Sequence, residues 1–250
     1  MENLRTYAKT AQSVIDRILD EEGDHIETAA SEIASRIAEG RLLYVFGPGG
    51  HSSMAGEEVF YRAGGLCPVS PILDAGVSLS TGAWKTTFVE RVEGYAPGIL
   101  EYYGLAAGDI IIINNAAGIN SMTIDAAQEC RSRGVYVVGM CAREFASNVP
   151  DGHPARHSSN KNLYDIADVC IDLKVPLGDA VIEVEGVDQK IGPVSTIAIS
   201  FVLHSVIIRT IEKLVERGVS PEVWRSANIP GGDEANRKNL EKYRGVIRHL

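Results

Sequence analysis

Gly47, Gly49 and Gly50 fall within four residues, with Pro48 between them, and His51, Ser52 and Ser53 follow at once. Glycines let a backbone come close to a ligand, and the free N–H groups and dipole of a following helix favour negative charge. The chemistry on offer is anion binding by backbone donors, with an imidazole and two hydroxyls beside them. The competing reading is a tight turn in which the glycines serve conformation alone. Two nucleotide patterns fit poorly. A dinucleotide fingerprint wants a third glycine where Ser52 stands and an acidic residue about 20 positions on, for which Asp74 comes too late. A phosphate loop of the Gly-Lys-Ser/Thr kind needs a lysine, and this stretch has none.

The elements that must position this loop are legible on either side. Leu42–Phe46 is an apolar run rich in β-formers, and a helical pattern from about Ser53 to Ala63 carries Glu57 and Glu58 on its first turns. Two helices precede the strand: residues 2–22, with apolar residues at helical spacing, and a second that opens near Asp24 and ends at Gly40. A short strand is expected near Cys67–Val69, and residues 74–92 have no clear pattern. A helix is expected over Ala96–Tyr103. Asp109–Asn114 is a second clear strand whose isoleucine run suits a sheet covered on both faces. Asn114 to Ser121 then repeats the arrangement of strand, loop and helix start, with Asn120 or Ser121 as cap of a helix to Arg133. Val135–Met140 and Ala167–Leu173 are further strands, and Val194 to about Arg217 is a long apolar helix broken only by small hydroxyls and His204. Strands alternating with helices predict an α/β fold with a doubly wound parallel sheet, and they bring the loops after Phe46 and Ile113 to one carboxyl edge. The segment Asp151–Lys161 reads as a solvated polar loop. The tail from Ser226 is rich in turn formers, followed by a charged helix over Arg237–Tyr243, with Trp224 and Tyr243 to hold it down.

The chain has 250 residues, 45% apolar and 23% charged, with a net charge of −9. That is ordinary for a globular protein with a sizeable core, and it argues against nucleic acid as a partner. Cys67, Cys130, Cys141 and Cys170 lack metal or redox spacing, so buried free thiols in a reducing compartment are expected. His153 and His157 have no acidic or cysteine partner at ligand spacing, so no metal is expected, nor any organic cofactor. No run approaches about 18 uninterrupted apolar residues and no signal-peptide core is present, so neither a membrane span nor export is expected and the location predicted is cytoplasmic.

Several segments together resemble the SIS (sugar isomerase) domain family. They are VFGPGGHSS, EEVFYRAGG at Glu57–Gly65, ERVEGYA at Glu90–Ala96, RHSSNKNLYDIADV at Arg156–Val169, EVEGVDQKIGP at Glu183–Pro193 and SANIPGGDEANRKNLEKYRG at Ser226–Gly245. The opening is similar to that of bacterial phosphoheptose isomerases, and the full layout to a group of uncharacterised bacterial SIS proteins. The resemblance implies one SIS domain over 1–250: N-terminal helices 1–40, a flavodoxin-like three-layer αβα core 41–218 and a tail 219–250. It implies a sugar-phosphate ligand at the carboxyl edge of the sheet, and a homodimer or homotetramer with residues shared between subunits.

Isomerisation through an enediol needs a base that moves a proton between adjacent carbons, and a second group that opens the ring or steadies the enediolate. By motif position the resemblance implies Glu58 as base, with Glu183 as the competitor, and His204 or His51 as the second group. It assigns the ligand to Gly49, Gly50, His51, Ser52, Ser53, Asn115, Gly118, Asn120 and Ser121, with Lys85, Arg156, His157 and Lys161 as possible helpers. One departure stands out. Family loops after the second clear strand are rich in Ser and Thr, whereas this chain has Asn115, Ala117 and Asn120, and Pro48 removes a donor from the first loop. Phosphate would then rest on the backbone N–H groups around Gly49–Ser53 and Gly118–Ser121. Alternatives to an isomerase are a non-catalytic phosphosugar-binding module, and a lyase or etherase acting on a sugar phosphate.

Overall fold

Ile110, Ile111, Ile112 and Ile113 are all fully buried in the computed structural model, which describes residues Met1–Leu250. They form β3 (Ile110–Asn114), the middle strand of a five-stranded sheet. The others are β1 (Leu43–Phe46), β2 (Val69–Ile72), β4 (Tyr136–Cys141) and β5 (Val169–Asp172). Their order is β2-β1-β3-β4-β5 and every pairing is parallel, with Leu43 opposite Ile110 and Ile110 opposite Tyr136. This is the flavodoxin-like order, in which the strand direction of winding reverses between β1 and β3.

The period of two sorts side chains into two cores. Leu43, Val45, Ile110, Ile112, Val138 and Ile171 pack with α1 (Glu2–Glu21), α2 (Gly23–Ala38), α3 (Met54–Val59) and α8 (Ser195–Glu216). Phe46, Ile111, Ile113 and Val137 pack on the other face with α5 (Ala96–Tyr103) and α6 (Ser121–Ser132). In chain order, α4 (Ala83–Val89) precedes α5 and α7 (Arg143–Asn148) follows β4. An antiparallel pair, β6 (Ala180–Ile182) and β7 (Ile191–Pro193), precedes α8, and α9 (Gly232–Tyr243) closes the chain. All four cysteines are buried and free.

Several expectations shift. The helix expected to reach Ala63 stops at Val59, because Phe60 turns extended and Tyr61 enters the left-handed region at φ 50°. Tertiary contacts fix that break: the Tyr61 ring meets Trp224 edge-on at 4.8 Å, and the Gly64 N–H donates to the Trp224 carbonyl at 2.8 Å. The short strand lies later than expected, at Val69–Ile72, and contains Pro71; β2 is an edge strand, where a missing donor is tolerated. Residues 180–193 form the β6–β7 hairpin, which the sequence did not announce, and Pro193 is its last residue. The start of α8 is capped from afar, since Asp179 Oδ1 accepts from the N–H of Ser195 at 2.7 Å and of Val194 at 3.0 Å. Asn120 precedes α6, yet its side chain caps nothing and donates instead to the Ala155 carbonyl at 3.1 Å.

Candidate functional site

The loops after β1 and β3 lie side by side at the carboxyl edge, where open α/β sheets bind ligands. The first loop is tightly wound. Gly47 cannot carry a side chain, because the Ser52 carbonyl oxygen lies 1.7 Å from where a Cβ would stand. Gly49, at φ 150°, faces the Glu90 carboxylate, with Oε2 2.5 Å from its notional Cβ. The Gly49 N–H donates to the Gly47 carbonyl and the Ser53 N–H to the Gly49 carbonyl, at 2.9 and 3.0 Å. Ser53 Oγ donates to the Gly50 carbonyl at 2.9 Å. Donors that the sequence reading offers to a phosphate are therefore partly spent within the loop. In the second loop, Asn115 Oδ1 takes the Gly118 N–H at 2.8 Å, and Asn115 and Asn120 are both buried. The Asn115 amide nitrogen lies 3.5 Å from the Gly49 Cβ position, so the two loops touch.

Glu58 leaves α3 on the side facing α8. His204 Nε2 lies 2.9 Å from Glu58 Oε1, and an Arg62 guanidinium nitrogen lies 3.3 Å from the same oxygen. Glu58 is 29% and His204 38% exposed, so the pair is reached from solvent while held in place. A cleft of about 70 Å³ opens beside it, lined by His51, Ala55, Glu58, Thr196 and Ser200. Thr196, Ser200 and His204 recur every four residues on α8, which puts two hydroxyls and the imidazole on one helix face. Carboxylate and imidazole lie within hydrogen-bonding reach of each other, and the two hydroxyl residues line the adjoining cleft, equipment for shuttling a proton on a polyhydroxylated substrate.

The other candidates lie elsewhere. Glu183 is 82% exposed on the turn after β6, 3.5 Å from Lys190, and does not line this cleft. The Lys85 ammonium holds the preceding turn, donating to the Ala75 carbonyl at 2.7 Å and Thr81 Oγ1 at 2.6 Å. Arg156 is buried and donates to the carbonyls of Val149, Asn160 and Ala146. His157 is buried between Ser159 Oγ at 2.7 Å and Asp125 Oδ1 at 3.1 Å. Lys161 is exposed. The polar segment 151–161 thus packs against the second loop, and the His157 N–H donates to the Ile119 carbonyl at 2.9 Å. Arg156 and His157 brace that loop, while Asp151, Gly152, His153, Pro154, Ser158, Ser159 and Lys161 are exposed, as the sequence suggested. No group of three or more His, Cys, Asp or Glu side chains converges at metal-ligand geometry.

Two residues escaped the sequence reading. Glu90 reaches the glycine loop from the end of α4; burial pushes its carboxyl pKa up, against the opposing pull of Arg91 and the Gly50 amide. Its segment, ERVEGYA, carries no local sign of this contact. Asn114 ends β3 with neither amide atom partnered, although it is fully buried on the face shared with Ile112. A polar residue closing an otherwise isoleucine strand was the available signal.

Comparison with known proteins agrees with this layout. The SIS domain family model matches residues 6–142. A UPF0309 protein of Caldanaerobacter subterraneus subsp. tengcongensis is 39% identical over 250 residues, covering 99% of this chain and 100% of that one. A UPF0309 protein of Geobacillus thermodenitrificans is 34% identical over 241 residues, covering 96% and 95%. Among solved structures, the phosphoheptose isomerase of Francisella tularensis superposes with a TM-score of 0.52 at 12% identity, covering 84% of this chain and 97% of that one. The phosphoheptose isomerase GmhA of Neisseria gonorrhoeae gives 0.52 at 14%, covering 83% and 97%. The Vibrio vulnificus NanR protein complexed with ManNAc-6P gives 0.53 at 10%, covering 98% and 70%. At these identities the structural likenesses establish the fold.

Proposed function

The chain belongs to the SIS domain family, and from that membership we propose that it is a sugar-phosphate isomerase working through an enediol, with Glu58 as the base. The observation that carries this reading is the 2.9 Å contact between His204 and Glu58 beside the glycine loop. Glu58 takes the proton from the carbon next to the substrate carbonyl and returns it to the neighbouring carbon, so all atoms are conserved. His204 holds the carboxylate in place and, once Glu58 turns to the substrate, moves a proton between the two oxygens of the enediol. Thr196 and Ser200 hold sugar hydroxyls. Arg62, 3.3 Å from Glu58 Oε1, helps to aim it. Glu183 enters this scheme only where a second subunit encloses it.

Glu58→Gln lowers kcat by roughly 10²–10⁴-fold, the range for a lost acid–base group, and leaves ligand affinity near that of the parent protein. His204→Asn also lowers kcat. Aldose–ketose interconversion of pentose, hexose and heptose phosphates, followed by chromatography, measures both. Full turnover in Glu58→Gln removes Glu58 from the mechanism.

A second reading, a non-catalytic phosphosugar-binding module, is favoured by the loop after β3. Its family hydroxyls are replaced, and Asn115 and Asn120 are occupied by the Gly118 N–H and the Ala155 carbonyl. Binding without turnover across the same substrates decides for it. A product that differs in mass from its substrate decides for a lyase or etherase.

The same reading has the chain assembling as a homodimer or homotetramer. The exposed Leu4 and Leu19 of α1 support it as surface for a second subunit. Sedimentation velocity is expected to give a single oligomeric species; a monomer at micromolar concentration overturns this.

A further inference from the structure

The long helix α8 is apolar on two sides. Towards the core it buries Ile199, Val202, Leu203, Val206 and Leu214. On the opposite side Ile197, Phe201, His204, Ile208, Ile211 and Val215 form a second row. Successive members stand four, three, four, three and four residues apart, the heptad spacing of a helix that packs along another helix. None of the six is buried, and Ile208 and Val215 are 57% and 61% exposed. A helix that is apolar all round belongs in an interior, and this chain covers only one side of α8. The row runs for eighteen residue steps, about 27 Å at the helical rise.

Nothing on the row calls for a charged partner. By helical spacing the charged residues of α8 lie on another flank, and they are paired within the chain. Arg209 meets Glu27 at 2.9 Å and also Glu212, while Lys213 meets Glu27 and, at 3.8 Å, Glu216. Ser205, beside the row, donates its hydroxyl to the Phe201 carbonyl at 2.8 Å. Both basic residues of α8 are thus engaged, and with a net charge of −9 the chain lacks the free cations that draw a helix face to an anionic lipid surface.

The spacing of the row is the same read from either end. Turning a second copy end for end about the level of Val206 sets Ile197 against Val215, Phe201 against Ile211 and His204 against Ile208. Every side chain of the row then has an apolar neighbour across the seam, in the self-complementary manner of a two-fold interface. A parallel pair would instead bring the two His204 imidazoles together. The interfaces of obligate homodimers resemble a domain core cut in half, and an unpartnered apolar row of this length has that character.

We propose that α8 of a second copy packs antiparallel on α8 along this row, and that the partner's Ile208 covers His204 and completes the wall of the site. The inference rests on the homo-oligomer proposed above and names its contact. In one chain the Glu58–His204 pair stands open, at 29% and 38% exposure. An isoleucine laid over the imidazole excludes water from that side, which strengthens the 2.9 Å contact between the two groups and leaves the cleft lined by His51, Thr196 and Ser200 as the way in.

Sedimentation velocity on the full chain, with kcat on whichever sugar phosphate turns over, tests this. Ile208→Glu sets a carboxylate in the seam and is expected to halve the number of subunits in the assembly, to lower kcat at least tenfold and to leave the far-UV circular dichroism unchanged. Disulfide trapping with glutathione disulfide reads the orientation. Ile197→Cys/Val215→Cys is expected to give a covalent dimer, and Ile208→Cys alone none, because its neighbour across the seam is His204. An unchanged assembly in Ile208→Glu, full turnover by a dissociated Ile208→Glu, no covalent dimer from the double variant, or one from Ile208→Cys alone overturns the inference and leaves the isomerase reading standing. A monomer at micromolar concentration overturns it together with the proposed oligomer, and co-sedimentation of that monomer with phosphatidylserine vesicles would give the face to a membrane. Absence of turnover in the unaltered protein overturns the isomerase reading alone, and the sedimentation and trapping results still decide the seam.

Discussion

A single carboxylate, that of Glu90, changes what the glycine loop can do. Read as sequence, the loop is a backbone cradle for an anion. In the fold, the Glu90 side chain, from the residue after α4, lies against Gly49, and burial pushes its carboxyl pKa up. The sign of the consequence follows from linkage. A carboxyl whose folded pKa is raised adds stability below its unfolded pKa and loses that contribution as pH rises through the folded value. Glu90→Gln cannot ionise, so its melting temperature is expected to exceed that of the unaltered protein more at pH 8 than at pH 4. A difference that shrinks toward pH 8 would show that Glu90 is stabilised as an anion. Glu58 and His204 could be singled out in the sequence, because each belongs to a motif or stands alone in an apolar helix. Glu90 and Asn114 were not, because what matters about them is what lies opposite in space.

Among elements, the junction of α1 and α2 has the densest charge. The Lys174 ammonium meets Glu21 at 2.9 Å, Asp172 at 3.2 Å and Glu22, and Lys174 itself takes φ 54°. Burial alone would lower its pKa, and the hydrogen bonds it donates to Glu22, Glu21 and Asp172 more than reverse that, holding the ammonium above its ordinary value. Glu22 Oε2 also accepts the Asp172 N–H at 3.1 Å, so the helix junction is tied directly to β5. Removing one partner of such a buried set leaves the others unpaired, and Lys174→Met is expected to cost about 3–5 kcal/mol. Urea unfolding measures it; a loss below about 1 kcal/mol would mean that the carboxylates are satisfied without the lysine. The helices and strands themselves were largely readable, since isoleucine runs and helical spacing report burial directly. Their ends were less so. α3 stops early and α8 is capped by Asp179, sixteen residues before Ser195, through contacts that no local pattern encodes.

At the scale of the molecule, the tail is a structural part. Trp224, Cys67, Tyr243 and Ile247 form a small core of their own, and Trp224 is 3% exposed. The Trp224 N–H donates to the Gly65 carbonyl at 2.9 Å, which fixes the turn after α3 and with it Arg62. Trp224→Ala is expected to cost about 3–5 kcal/mol in urea unfolding and to weaken ligand binding as well. A loss under about 1 kcal/mol would show that the tail is only loosely docked. With a net charge of −9, the field of the chain repels anions, so a phosphate requires local cations.

The sequence by itself determined the α/β architecture, the glycine loop at the sheet edge and the family, because hydrophobic period, turn chemistry and motif order are local properties of a chain. The tertiary structure alone decided that Glu58 and His204 touch although 146 residues separate them, that Glu90 lies against the glycine loop and that the tail docks on the turn after α3. The physical reason is common to all three. Hydrogen bonds and ion pairs act over a few ångströms, and only packing of α3 on α8, α4 on the loop and the tail on α3 brings those groups within that range.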